Sequence, residues 1–166
     1  DDKIWSQEEA EVNMAARYQA KGDQTLTTSL VTALTVGSNA TTAQRNEIYE
    51  FILGVALTPS DSTISFTIQR VSALGTSTAV TPGDIEGGAN RAAQAAVGKN
   101  HTVEPTVVAN AFILDAMPLN ARATFRWVAA PGREIIHAAT VGAGYLFGGL
   151  HASRTEDINA QAFWEE

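Results

Sequence analysis

The chain has 166 residues, 45% of them hydrophobic, and its 18 acidic against 11 basic side chains give a formal charge of −7. That length bounds it to one domain with a sizeable core, and its scattered Lys and Arg lack the clustering that phosphate neutralisation needs, so no nucleic-acid partner is expected. With no cysteine there are no disulfides and no thiol chemistry, and no apolar run approaches the ~20 residues that cross a bilayer, so a soluble chain with no membrane partner is expected.

Residues 1 to 22 are the one segment with helical logic. Ser6 with Glu9 three residues on fits a capping box, Glu8, Glu9 and Glu11 suit the positive end of a helix dipole, and Gly22 suits its end. Ile4 and Trp5 lie just ahead of that cap, placed to pack on the helix or on a neighbour. Met14-Ala15-Ala16-Arg17 reads as a plausible natural start, which leaves residues 1 to 13 as an extension, a processed remnant or an earlier true start. Domain organisation is accordingly an N-terminal helix or arm over 1–22 and a β domain over 23–166.

From Gln24 the hydrophobic period changes to two, and β-branched residues dominate as far as Val36. Gly37-Ser38-Asn39 marks a turn. Glu47 to Leu57 is apolar on both faces, as a central covered strand would be, and Thr58-Pro59-Ser60-Asp61 turns it into Thr63 to Gln69, where Ile64, Phe66 and Ile68 alternate with polar residues. Two such strands joined by a four-residue turn predict a hairpin, with a bulge where the phase slips at Arg70-Val71.

Residues 74 to 103 are punctuated by glycine and proline, with an alanine-rich middle that predicts a short helix over 89–97. A connection this long is the first candidate for an interface loop. Strand pattern resumes over Thr106 to Asp115 and passes Met117-Pro118. Beyond it Ala121, Ala123, Phe125 and Trp127 share one side of an extended chain, and Arg122, Thr124 and Arg126 the other. Pro131-Gly132 suits a tight reversal, so Arg133 to Ala139 is expected to run back as a hairpin partner. Two further strands cover 144–150 and 157–164. Roughly eight strands without long helices predict an all-β fold, an antiparallel β-sandwich of jelly-roll type, with an immunoglobulin-like sandwich as the alternative.

Motifs for chemistry are weak. Gly142 to Gly149 has the spacing GxGxxxG with no helix after it, so it reads as a turn into an aromatic strand. His101, His137 and His151 are too far apart for a local metal motif. Asp115, Glu134, Asp157 and Glu165 are carboxylates of the type a glycosidase uses, but nothing in the sequence pairs them. Trp5, Trp127 and Trp164 are candidates for sugar stacking, with core packing the default for Trp127. No enzyme activity, cofactor or metal is expected. Core candidates are Phe51, Phe66, Phe125 and Trp127; assembly-contact candidates are Ile4, Trp5, Met14, Ile85 and Val97.

At Arg126-Trp127-Val128-Ala129-Ala130-Pro131-Gly132-Arg133-Glu134-Ile135-Ile136, and at the closing Ala162-Phe163-Trp164-Glu165-Glu166, the chain resembles the capsid decoration, or cement, proteins of tailed phages. Arg17-Tyr18 and the strands rich in Ser, Thr and Ala are similar too. The resemblance implies a β-sandwich subunit, often a homotrimer, that sits on a virion lattice with the major capsid protein as partner, and it brings no catalytic residues. The segment DDKIWSQEEAEVN departs from that pattern. Alternatives are a glycan-binding tail or fibre module and a self-polymerising filament subunit held by an N-terminal arm.

Overall fold

The computed structural model describes residues 16–87 and 92–166, and among these no helix occurs. Twelve strands run in chain order as β1 (Arg17–Thr25), β2 (Val31–Gly37), β3 (Glu47–Val55), β4 (Thr63–Ala73), β5 (Thr76–Ala79), β6 (Gly83–Asp84), β7 (Ala96–Val103), β8 (Thr106–Asn120), β9 (Phe125–Val128), β10 (Ile135–Ile136), β11 (Gly144–Leu150) and β12 (Asp157–Glu165). They form two antiparallel sheets packed face to face, as expected for a β-sandwich.

The pairing follows a jelly roll. β1 pairs with β12, β2 with β11, β3 with β9 and β10, and β4 with β8, while β12 also pairs with β3 and β11 with β4. The chain is thus a long folded-over ribbon, with β1 to β4 alternating between the sheets and β8 to β12 returning alongside them. β5, β6 and β7 are an insertion between β4 and β8. They extend both sheets on one side, β7 beside β2 and β6 beside β1. The opposite side ends in β8 on one sheet and in β9 and β10 on the other.

This topology overturns several local expectations. β3 and β4 lie in different sheets and make no hairpin, because the four-residue turn carries the chain across the sandwich. The stretch around Pro131-Gly132 is not a hairpin either. β9 and β10 run in the same direction along one edge of β3, Phe51 facing Trp127 and Ile48 facing Ile135, and residues 130–134 form an excursion between them. The reversal itself is present: Arg133 N–H donates to Ala130 O at 2.9 Å, with Gly132 at φ 74°.

At the N-terminus the expected helix gives way to β1, which starts at Arg17 and places Gly22 opposite Ala160 in mid-strand. Residues 17–22 therefore belong to the sandwich, Ala16 ahead of them is not helical, and the remainder of the expected helix, 1–15, lies outside the described residues. The expected helix over 89–97 is absent from its described part, since residues 92–95 are not helical and β7 begins at Ala96. The irregularity expected near Arg70-Val71 is present, as the β4–β8 register shifts between Gln69 and Val71.

The core forms between the sheets. Phe51 of β3 touches Phe147 of β11 across the gap at 5.8 Å between ring centroids, with Trp127 stacked on its own-sheet side at 5.1 Å. Phe51 and Phe66 are buried, as expected of core residues; Phe125 and Trp127 are half-buried on edge strand β9 and pack against the core. β3 was expected to be covered on both faces, but only Ile48, Phe51 and Leu53 are buried. Close packing of β2 on β11 depends on glycine, because a Cβ at Gly144 would fall 2.5 Å from Val36 O.

Candidate functional site

The open side of the sandwich displays the largest concentration of exposed apolar surface. β8 spans fifteen residues with Asp115 as its one charge. Val107, Val108, Phe112 and Ile113 on β8, with Val128 on β9 and Ile136 on β10, are each between 37% and 53% exposed. They make up six of the ten large exposed apolar side chains among the described residues.

β8 is a heavily bulged strand. Its register against β4 jumps from Phe112 opposite Gln69 to Val107 opposite Val71, so residues 108–111 face Arg70 alone, with Asn110 at φ 56°. A second slip at Asp115-Ala116, with Ala116 at φ 44°, faces Thr67. Buried polar side chains of β4 replace the lost ladder bonds. Gln69 Nε2 donates to Val108 O at 2.9 Å, and Thr67 Oγ1 accepts from Ala116 N–H at 3.3 Å. Neither residue fits an alternating apolar strand, yet both are buried because they satisfy the backbone that the bulges leave open.

Beside the larger bulge lies a cavity of about 310 Å³, walled by Arg70 and Ser72 of β4, Val108 of β8, and His137, Thr140 and Ala143 from the segment leading into β11. Tyr145 organises its polar groups. Its hydroxyl donates to Ile136 O at 3.0 Å and accepts from Arg70 Nε at 3.1 Å, while its ring meets the His137 ring edge-on at 6.2 Å. Burial pushes the Tyr145 hydroxyl's pKa up, against the opposing pull of Arg70.

His137 is 2% exposed. Its Nδ1 lies 2.9 Å from Ala138 O, a carbonyl that only accepts, so Nδ1 carries the proton. Burial, and secondarily the nearby Arg70 charge, lowers the His137 pKa and keeps the ring neutral. Nε2 is left as a bare acceptor with no partner. Such an orphan costs about 1–3 kcal/mol.

A wider groove of about 740 Å³ runs between the β5–β7 insertion and the 141–142 turn. Behind it, His101 Nδ1 donates to Thr32 O at 3.1 Å and its Nε2 lies 3.3 Å from Thr35 Oγ1, while the Thr32 hydroxyl donates to Glu104 at 2.5 Å. This cluster is internally satisfied, and burial lowers the His101 pKa.

Of the expected assembly contacts, Ile4, Trp5 and Met14 lie outside the described residues. Ile85 is exposed beside β6, whereas Val97 is 6% exposed within the core, so on the folded subunit its side chain is not presented to a partner. The sequence offered no sign of the β8 surface as an interface, since an apolar strand pattern reads the same whether covered or not. Nor did it unite Arg70, His137 and Tyr145, which come from three separate segments.

Asp157 and Glu165 stand at opposite ends of β12, Asp157 accepting from the Thr25 hydroxyl, and Glu134 accepts from Gly132 N–H within its own turn. No group of three His, Cys, Asp or Glu able to hold a metal occurs among the described residues. Trp164 is fully buried and Trp127 has one ring face on Phe51. Comparison with protein-family models, with curated proteins and with solved structures finds no match.

Proposed function

We propose that the chain is a non-enzymatic structural subunit of a virion, of the capsid-decoration kind, whose copies associate, as a trimer, through the open side of the sandwich and sit on a lattice of major capsid protein. The observation that carries self-association is the exposed apolar strand β8 with its single charge. On a chain of net charge −7, two copies repel over most of their surface. β8 is where they meet with the least repulsion and the most apolar area to bury. The bulges prevent open-ended edge pairing of β8 with another strand, which favours a closed assembly over a fibre. The attachment to a capsid draws on the resemblance carried by 126–136 and 162–166. Those residues sit together in one sheet, on β9, β10 and β12, all of which pair with β3.

The test is the solution mass of the whole chain by light scattering on a sizing column, alongside a Phe112→Asp/Ile113→Asp variant and a chain lacking residues 1–13. A discrete trimer that becomes monomeric in the double variant is the expected result. A monomeric parent chain, or a double variant that keeps the parent mass, overturns association through β8. A loss of mass on truncation alone transfers the contact to the N-terminal arm.

A further inference from the structure

Arg70 of β4 and Asp115 of β8 are both exposed at the bulged pairing of these strands, and neither has an ion-pair partner among the described residues. Arg70 is held in place. Its Nε donates to the Tyr145 hydroxyl at 3.1 Å, its guanidinium carbon stands 5.9 Å from the centre of the Tyr145 ring, and that hydroxyl donates on to Ile136 O. Nε is only one of the guanidinium donors, so the others are left for a guest. Arg70 also lines the cavity of about 310 Å³, in which Val71, Val108 and Ala143 supply apolar wall. A fixed cation beside apolar wall suits a carboxylate carried on an apolar strand.

β8 itself offers that carboxylate. Asp115 is its one charge in fifteen residues, it stands at the second bulge beside Ala116 at φ 44°, and its side chain makes no hydrogen bond among the described residues. Its strand neighbours Phe112 and Ile113 are each 41% exposed. Arg122 and Arg133, in the turns on either side of β9, are also without ion pairs, but no hydrogen bond fixes their side chains, so pairing there would cost more ordering. We propose that Asp115 of one copy pairs with Arg70 of the next, with Phe112 and Ile113 packed against the apolar wall beside it. This rests on the association through β8 put forward above and supplies what orients it. Each copy gives one carboxylate and receives one on a different strand, so the contact joins two unlike patches. Such a contact closes into a ring where the rotation allows, as a trimer requires. Enclosed between copies, the pair is screened less than it would be on the free surface.

The test is a double-mutant cycle on the full chain, with self-association followed by light scattering on a sizing column over a dilution series. Asp115→Asn and Arg70→Gln should each raise the midpoint concentration of dissociation by roughly tenfold or more, and the two together no further than either alone. Asp115→Arg should dissociate the assembly, and Arg70→Asp added to it should restore the parent mass. Sodium chloride at about 0.5 M should weaken the parent assembly and leave Asp115→Asn little changed. Thermal melts of the same substitutions in the dissociated Phe112→Asp/Ile113→Asp chain separate effects on the fold from effects on association. If Arg70→Asp proves unstable there, the cycle with Arg70→Gln decides. Additive losses in the cycle, or single variants that keep the parent midpoint, overturn the ion pair. Association through β8 still stands in those cases if Phe112→Asp/Ile113→Asp is monomeric, whereas a monomeric parent chain overturns both.

Discussion

β2 and β8 belong to the same sheet and both are rich in apolar and β-branched residues, yet their environments are opposite. All seven residues of β2 are buried, whereas none of the fifteen in β8 is fully buried. Position in the sheet makes the difference. β2 lies between β7 and β11 with β1 and β12 packed over it. β8 hangs on β4 alone and its bulges throw side chains out of register. Apolar content in β2 therefore supplies stability, and in β8 it stays exposed on the subunit.

Truncation in the two strands sharpens that contrast most. Leu34→Ala, in a fully buried position of β2, should cost about 2–5 kcal/mol in urea unfolding. Phe112→Ala on β8 should cost the isolated subunit under about 1 kcal/mol. Equal losses would show that β8 is covered within the subunit and would remove the basis for an interface there.

Gln69→Ala examines what holds β8 in its bulged path. Loss of the bond from Nε2 to Val108 O leaves a carbonyl unsatisfied, and a destabilisation of about 1–3 kcal/mol is expected, together with faster amide exchange over residues 107–112. An unchanged exchange pattern would mean that the bulge is held by something other than the Gln69 side chain.

The smallest effect concerns pH. Burial lowers the pKa of both His101 and His137, so below the ordinary value of about 6.5 the unfolded chain takes up protons that the folded chain does not. Stability is complete above that pH and declines as pH falls through it, at up to about 1.4 kcal/mol per pH unit for each histidine. His101→Gln and His137→Gln should each flatten the decline between about pH 6.5 and 5 in thermal melts. A profile that stays as steep in both variants would place the acid sensitivity elsewhere.

Much of the sandwich is legible in local pattern. The alternation from Ala121 to Trp127 appears as buried or half-buried side chains against exposed ones, and Ile64, Phe66 and Ile68 are buried as their spacing implies. The expected hairpins failed because periodicity reports which way a side chain points and says nothing about which strand lies alongside. Turns such as 58–61 and 130–133 look alike whether they fold a strand back beside its predecessor, carry it to the other sheet or bulge out from an edge. Gly22 suits a helix end because glycine accepts a C-cap conformation, while its pairing with β12 comes from residues about 140 positions away.

The candidate sites show the same division. Sequence alone determined that the domain is a sandwich of strands, that its chemistry excludes thiols, and that Phe51 and Phe66 belong to its core, since these follow from composition and from a period of two. Tertiary structure decided that β2 is buried and β8 exposed among the described residues, and that Arg70 and His137 line one cavity with Tyr145 bonded to Arg70 behind it. Those properties depend on long-range pairing in a jelly roll, where the two halves of the ribbon meet only after the whole chain has folded over.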